Sequence, residues 1–196
     1  MKSDLNNLII DYFPSPNGDN EELLKLLNQT SKIICDWFSV SEKLSPLPQN
    51  KIKIISEPAE FGCDIKVLLD DINSLIYSSF NPSHPGSLAN LDPPPLTISI
   101  IGDLIAGALN NNLLAEELSP SISIIENDLC KWFANEVGFG NSSGGIAASG
   151  GTLNNLNALA CAKFNSGLTF DPEASFIISE DAHVSFKKCA RIIGVK

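Results

Sequence analysis

The chain has 196 residues, 43% of them hydrophobic, and its 13 Lys and Arg stand against 23 Asp and Glu for a formal net charge of −10. That is enough apolar material for one core, and length alone sets a single domain as the starting expectation. The negative balance argues against nucleic acid or an anionic membrane as a partner, no apolar run approaches membrane-spanning length, and Cys35, Cys63, Cys130, Cys161 and Cys189 are too scattered for a zinc site or a disulfide framework.

The N-terminal residues Met1 to Asn7 lack the charged-then-apolar order of a signal peptide, which makes a reducing cytoplasm the expected location. Phe13-Pro14-Ser15-Pro16-Asn17-Gly18 is a loop of turn formers. A periodic helix is predicted from about Glu21 to Phe38, with Leu23, Leu26, Leu27, Ile33, Ile34, Trp37 and Phe38 on one stripe and Asp19 with Glu22 as a capping box. Ser45 to about Gly62 carries Pro46, Pro48 and Pro58 and reads as a linker, so the expected division is a helical arm over residues 1–62 and a second region over 63–196. Asp64 then starts an amphipathic helix with Ile65, Leu68, Leu69, Ile72, Leu75 and Ile76 facing one way.

Asn81-Pro82-Ser83-His84-Pro85-Gly86 and Asp92-Pro93-Pro94-Pro95 are incompatible with helix or sheet and must be loop. Ile98 to about Leu114 reads as a helix apolar on most sides, apart from Asp103 and Asn110 to Asn112, which suggests burial at an interface or under a sheet. Ser119 with Pro120 marks another helix start, with Ile122, Ile125, Leu129, Trp132, Phe133 and Val137 as its buried stripe until Gly138. Ser142-Ser143-Gly144-Gly145 is a short turn. Strands are expected at Ile146 to Ser149 and Ser175 to Ser179, with Ile192 onward as a third, giving an α/β class. So few strands leave an unpaired edge and uncovered apolar helix faces. Lys187 to Lys196 holds four basic residues and no acidic one, read as an exposed helix face.

The candidate chemistry lies in Ala147-Ala148-Ser149-Gly150-Gly151-Thr152, between a short apolar run and a helix. Adjacent glycines let the backbone approach a ligand closely, and Thr152 offers a hydroxyl where the free N–H groups of a helix start point, as a phosphate cradle requires. The same residues also make an ordinary turn plus N-cap. Downstream, Glu180-Asp181-Ala182-His183-Val184-Ser185 sets one of the two histidines at a strand-to-helix turn; a lone histidine there can equally cap the helix or face solvent.

From about His84 to the last residue, the order and spacing of His84-Pro85, Leu91-Asp92-Pro93-Pro94-Pro95, Ile101-Gly102-Asp103-Leu104, Glu117-Leu118-Ser119-Pro120, Ser149-Gly150-Gly151-Thr152 with Asn155-Leu156, and Asp181-Ala182-His183 resemble the group II pyridoxal-phosphate-dependent amino-acid decarboxylases. The resemblance implies a fold-type-I, pyridoxal-phosphate-dependent transferase-like domain and carboxy-lyase activity on an amino acid. It assigns Gly150, Gly151 and Thr152 to the cofactor phosphate, His183 to the pyridine ring as the catalytic histidine, and His84 with Pro85 to the substrate entrance, where His84 could otherwise be a surface-turn histidine. Aromatic residues commonly follow the His-Pro pair in that family, whereas Gly86, Ser87 and Leu88 follow here. Family members use N-terminal helices to clasp the second subunit of a dimer; the periodicity of the two N-terminal helices here fits that role and plain core packing equally.

Such enzymes also need a lysine that holds the cofactor as a Schiff base and a carboxylate against the pyridine nitrogen. In the family both lie downstream of the histidine, and Lys196 is not in that context. The resemblance thus describes the N-terminal half of a decarboxylase, inactive alone, that works with a complementing C-terminal half or a homodimer partner. The alternatives are a non-catalytic remnant and a module that binds a phosphorylated ligand and assembles with a separate chain.

Overall fold

The computed structural model describes residues 13–45, 47–48, 63–88, 91 and 93–195, and the chain divides into two units, Met1–Leu104 and Ile105–Lys196. The linker expected over Ser45–Gly62, and with it the boundary at residue 62, lies almost wholly outside the described residues, as do Asp92 and Lys196. Among the described residues there are six α-helices, two 3₁₀ turns and no strand.

In the first unit, helix α1 spans Glu21–Ser39 and helix α2 spans Ile65–Tyr77. Leu26, Leu27, Ile33, Ile34, Trp37 and Phe38 of α1 are half-buried, as are Leu69, Ile72 and Ile76 of α2, so the two apolar stripes pack together as their 3.6-residue period dictates. The capping box does not form. Asn20, not Asp19, occupies the N-cap, in the left-handed region at φ 54°, which moves the partner position from Glu22 to Leu23. Asn20 instead ties the preceding loop: its Oδ1 accepts from the Ser15 amide at 2.6 Å and its Nδ2 donates to the Ser15 carbonyl at 3.0 Å. Gly18 permits that closure, since a Cβ there would meet Ser15 Oγ at 2.7 Å. Asp64 caps α2 as expected, accepting from the Lys66 amide at 2.7 Å.

Helix α3 spans Thr97–Leu109 and ends five residues before the expected Leu114. Asn110 turns left-handed at φ 45°, and the side chains of Asn111 and Asn112 accept from the amides of Leu113 and Leu114, both at 3.0 Å. Short polar side chains that bond the backbone two residues on compete with helix, and here they win. Nor is α3 buried: Ile98, Ile101, Leu104, Ile105 and Leu109 are all exposed.

In the second unit, helix α4 spans Pro120–Glu136, with Pro120 in its first turn, and Gly138 at φ 83° follows its end. The stripe expected to be buried is largely in solvent, with Ile125, Leu129, Trp132, Phe133 and Val137 exposed. The face turned inward carries Glu126, Cys130 and Ala134. Helix α5 spans Gly151–Asn165 and helix α6 spans Ser185–Ile193, and these two pack against each other.

The three expected strands are absent. Residues 143–148 and 174–179 are irregular, since a strand exists only where its amides and carbonyls pair with a neighbour, and neither segment has one among the described residues. Ile192 belongs to α6, which Gly194 terminates at φ 64° while the Val195 amide closes back on the Ala190 carbonyl at 2.9 Å. The buried apolar residues among those described are all small, Ala134, Ala174, Cys189 and Ala190, while Ile177, Leu88 and Phe170 are at least 96% exposed.

Asp64 is the one side chain that caps α2, so Asp64→Ala should lower the stability of the first unit by about 1 kcal/mol. Urea melts followed by circular dichroism give the figure, and an unchanged midpoint would mean that the cap contributes nothing.

Candidate functional site

The glycine pair is positioned from behind by α4. Glu126 Oε1 accepts from the Ala147 amide at 2.8 Å, which satisfies a donor that a strand neighbour would otherwise take. Gly145 lies so close to the same helix that a Cβ would meet Cys130 Cβ at 3.2 Å and Sγ at 3.4 Å. The chain thus reaches Ser149 along a fixed line and turns into α5 at Gly151.

Gly150 is the N-cap of α5, in extended conformation at φ 162° and ψ 166°, and no side chain caps the helix. The first amide to bond back is that of Asn154, to the Gly150 carbonyl at 3.1 Å. The amides of Gly151, Thr152 and Leu153 therefore have no partner among the described residues, as the geometry of a helix start requires unless something caps it. All three lie at the positive end of a 15-residue helix, where an anion is stabilised without a basic side chain. A Cβ built at Gly150 or at Gly151 meets nothing within 4 Å. In front of the turn is an open cavity of about 390 Å³ between Ser149–Thr152 and the side chains of Leu156, Cys189 and Ile192.

Helix α6 is anchored beside this turn by two small buried side chains. Cys189 is fully buried, its Sγ donating to the Thr152 carbonyl at 3.4 Å. Ser185, 1% exposed, has its hydroxyl 2.7 Å from His183 Nδ1 and accepts from Asn155 Nδ2 at 2.8 Å. At the other end, Lys163 Nζ donates to the Ile193 carbonyl at 2.8 Å, placing positive charge at the C-terminus of α6. His183 itself is exposed, and two side-chain hydrogen bonds link it to Asn155, one turn along α5 from Thr152. It does not line the cavity.

The other histidine has a different occupation. His84 Nδ1 accepts from the Gly86 amide at 2.8 Å, which leaves the proton on Nε2 to donate to the Leu44 carbonyl at 3.1 Å. The ring straps its own loop to the chain just after the 3₁₀ turn Ser41–Lys43, and neither nitrogen is open. Asn81, 4% exposed, begins that loop by accepting from the Ser83 amide at 2.9 Å, and Pro85 is exposed.

Reading the sequence missed Glu126, Ser185 and Cys189 and left Asn155 as part of a pattern without a job. Ser185 carried the one available signal, a hydroxyl two residues after a histidine, which is spaced to bond back to the ring. The partners of Asn155 and Cys189 lie 30 and 37 residues away, and no local period shows that. No group of His, Cys, Asp and Glu that could hold a metal ion occurs among the described residues, and no helix among them is long and apolar enough to cross a membrane.

Residues 48–196 match the family model described as the pyridoxal-dependent decarboxylase conserved domain. The chain is 28% identical over 185 residues to the aromatic-L-amino-acid decarboxylase of Bacillus atrophaeus, covering 90% of this chain and 38% of that protein. It is 27% identical over 141 residues to the L-2,4-diaminobutyrate decarboxylase of Acinetobacter baumannii, covering 70% and 28%. Among solved structures, mouse CSAD superposes with a TM-score of 0.75 at 21% identity over 91% of this chain and 41% of that one. The Oryza sativa TDC crystallised with PLP and tryptamine superposes with a TM-score of 0.71 at 18% identity over 94% and 44%. These structures share the fold, and the chain spans less than half the length of the relatives it matches.

The open space around Gly151 separates what the fold needs from what a ligand needs. Gly151→Ala should leave the fold intact and raise stability by about 0.5 kcal/mol, because alanine restricts the unfolded chain more than glycine. A fall in the thermal midpoint would mean that the glycine serves the fold.

Proposed function

The chain belongs to the pyridoxal-dependent decarboxylase family, and on that premise we propose that it is the N-terminal portion of an amino-acid carboxy-lyase, with the first turn of α5 holding the phosphate of pyridoxal 5′-phosphate and His183 lying against the ring. The observation that carries this reading is the set of open amides at Gly151, Thr152 and Leu153, within the span that matches the family. The donor set fits the phosphate end of the cofactor: N–H groups at a helix N-terminus, the Thr152 hydroxyl beside them, and no Cβ at 150 or 151 to hold the anion off. When bound, the cofactor supplies an electron sink for the pair left behind as the carboxylate departs. His183 contributes a flat ring that needs no charge to stack on another.

The lysine that holds the cofactor and the carboxylate that pairs with its ring nitrogen come, in this reading, from polypeptide beyond these 196 residues, whether in the same chain or in a separate one. The uncovered apolar stripes of α3 and α4 support this, because they are the faces that further secondary structure of a larger domain would bury. The same logic makes a homodimer partner a candidate for the exposed residues of α1 and α2, and in this reading the family resemblance assigns His84 and Pro85 to the entrance for the amino-acid substrate.

Titrating the ¹⁵N-labelled chain with pyridoxal phosphate, and in parallel with pyridoxal, tests the cradle. The Gly151, Thr152 and Leu153 amides should shift with the phosphorylated compound alone, and Thr152→Val should weaken binding about tenfold, the worth of one hydrogen bond to a charged group. Equal shifts with both compounds would overturn the assignment. A second expectation concerns turnover: supplied with pyridoxal phosphate, the 196-residue chain should release no carbon dioxide from any amino acid above the rate of the free cofactor. Release that exceeds that rate would show that no further polypeptide is needed.

A further inference from the structure

We infer that Cys189 is a positioning residue for the anion at the start of α5: its thiol polarises the peptide group that carries the Leu153 amide and makes that amide the strongest of the three open donors. That the anion is a cofactor phosphate rests on the function proposed above, but the polarisation does not. A peptide group is one conjugated unit, so a hydrogen bond accepted at its oxygen draws electrons from its nitrogen and sharpens its N–H as a donor. Each open amide therefore answers to the carbonyl of the residue before it. The Gly151 amide shares its peptide with the Gly150 carbonyl, which accepts from the Asn154 amide at 3.1 Å. The Thr152 and Leu153 amides share theirs with the Gly151 and Thr152 carbonyls, which accept from the amides four residues on in the ladder of α5. Among the described residues, the Thr152 carbonyl alone of these three accepts a further bond, from Cys189 Sγ at 3.4 Å. A carbonyl cannot donate, so the direction of that bond is fixed.

The thiol works from behind the donor that it sharpens. In a trans peptide the oxygen and the N–H point opposite ways, so a bond at the Thr152 oxygen leaves the Leu153 N–H unobstructed. Cys189 is fully buried, so water does not compete with the Thr152 carbonyl for its S–H. A side chain that did no more than let α5 and α6 approach would need only to be small, as Ala190 beside it is. A thiol adds a donor at almost the same size, and the carbonyl that receives it belongs to the first turn of α5.

Backbone ¹⁵N and carbonyl ¹³C spectra of the ligand-free chain read the polarisation, and titration with inorganic phosphate reads its consequence. Cys189→Ala should move the Thr152 carbonyl ¹³C and the Leu153 amide upfield while the Gly151 and Thr152 amides stay in place, and should weaken phosphate binding about twofold. Cys189→Ser keeps a donor and should hold the shifts and the affinity close to those of the unaltered chain. Neither replacement is larger than cysteine, and the Asn155–Ser185 and Lys163–Ile193 bonds still tie α5 to α6, so the Asn155 side-chain resonances should not move. Equal movement of all three amides in Cys189→Ala would reduce the cysteine to a packing residue and overturn the inference. So would a Leu153 amide that does not respond, a phosphate affinity equal in all three chains, or a Cys189→Ser chain that follows Cys189→Ala. The spectra need no cofactor, so a chain whose Leu153 amide answers to Cys189 but whose open amides ignore pyridoxal phosphate refutes the proposed function and leaves the polarisation standing.

Discussion

What the second unit offers to a ligand depends on the close approach of α5 and α6, and that approach depends on two small side chains. Ser185 and Cys189 lie four residues apart, hence on one face of α6, and both are buried. A larger residue at either position would hold the helices apart, and the hydrogen bonds to the Thr152 carbonyl and from Asn155 would be lost together. The cysteine sulfur adds an interaction to a carbonyl in the first turn of α5 while the amides of that turn stay open. One packing contact thereby orders the helix start without consuming the groups that make it useful.

The two histidines show how the same chemistry serves opposite ends. Each has Nδ1 accepting from a backbone amide two residues on, and each is thereby fixed as the Nε2–H form. In His84 the Nε2 proton is spent on the Leu44 carbonyl, and the ring becomes a strap. In His183 it has no partner among the described residues, and the ring stays exposed. The difference lies in whether a carbonyl is within reach, which is a property of the loop and not of the residue.

The apolar residues left in water describe a molecule whose stabilisation is incomplete as it stands. Burying one large aliphatic or aromatic side chain is worth about 1.5–3 kcal/mol, and α4 alone leaves Ile125, Leu129, Trp132 and Phe133 exposed. The hydrophobic pattern of α4 is regular and helical, yet most of it lies in solvent. Its inward face, by contrast, holds Glu126, Cys130 and Ala134, chosen for a hydrogen bond and for closeness to the segment that leads into the glycine pair.

By itself the sequence determined the helices and most of their ends: the period of Leu26 to Phe38, the Asp64 cap, Pro120 at a helix start and Gly138 at its end are local, and local sterics and hydrogen bonding settle them. It also carried the order of motifs by which the family is legible, including the glycine pair before α5. Tertiary structure decided what local pattern cannot hold. Whether Ile146–Ser149 and Ser175–Ser179 become strands depends on neighbours that must come from elsewhere in space, and among the described residues none comes. Which face of α4 turns inward depended on the segment packed against it, not on where the apolar residues fell. The hydrogen bond from Asn155 to Ser185 that ties α5 to α6 joins residues 30 positions apart, and only folding brings such residues within reach of each other.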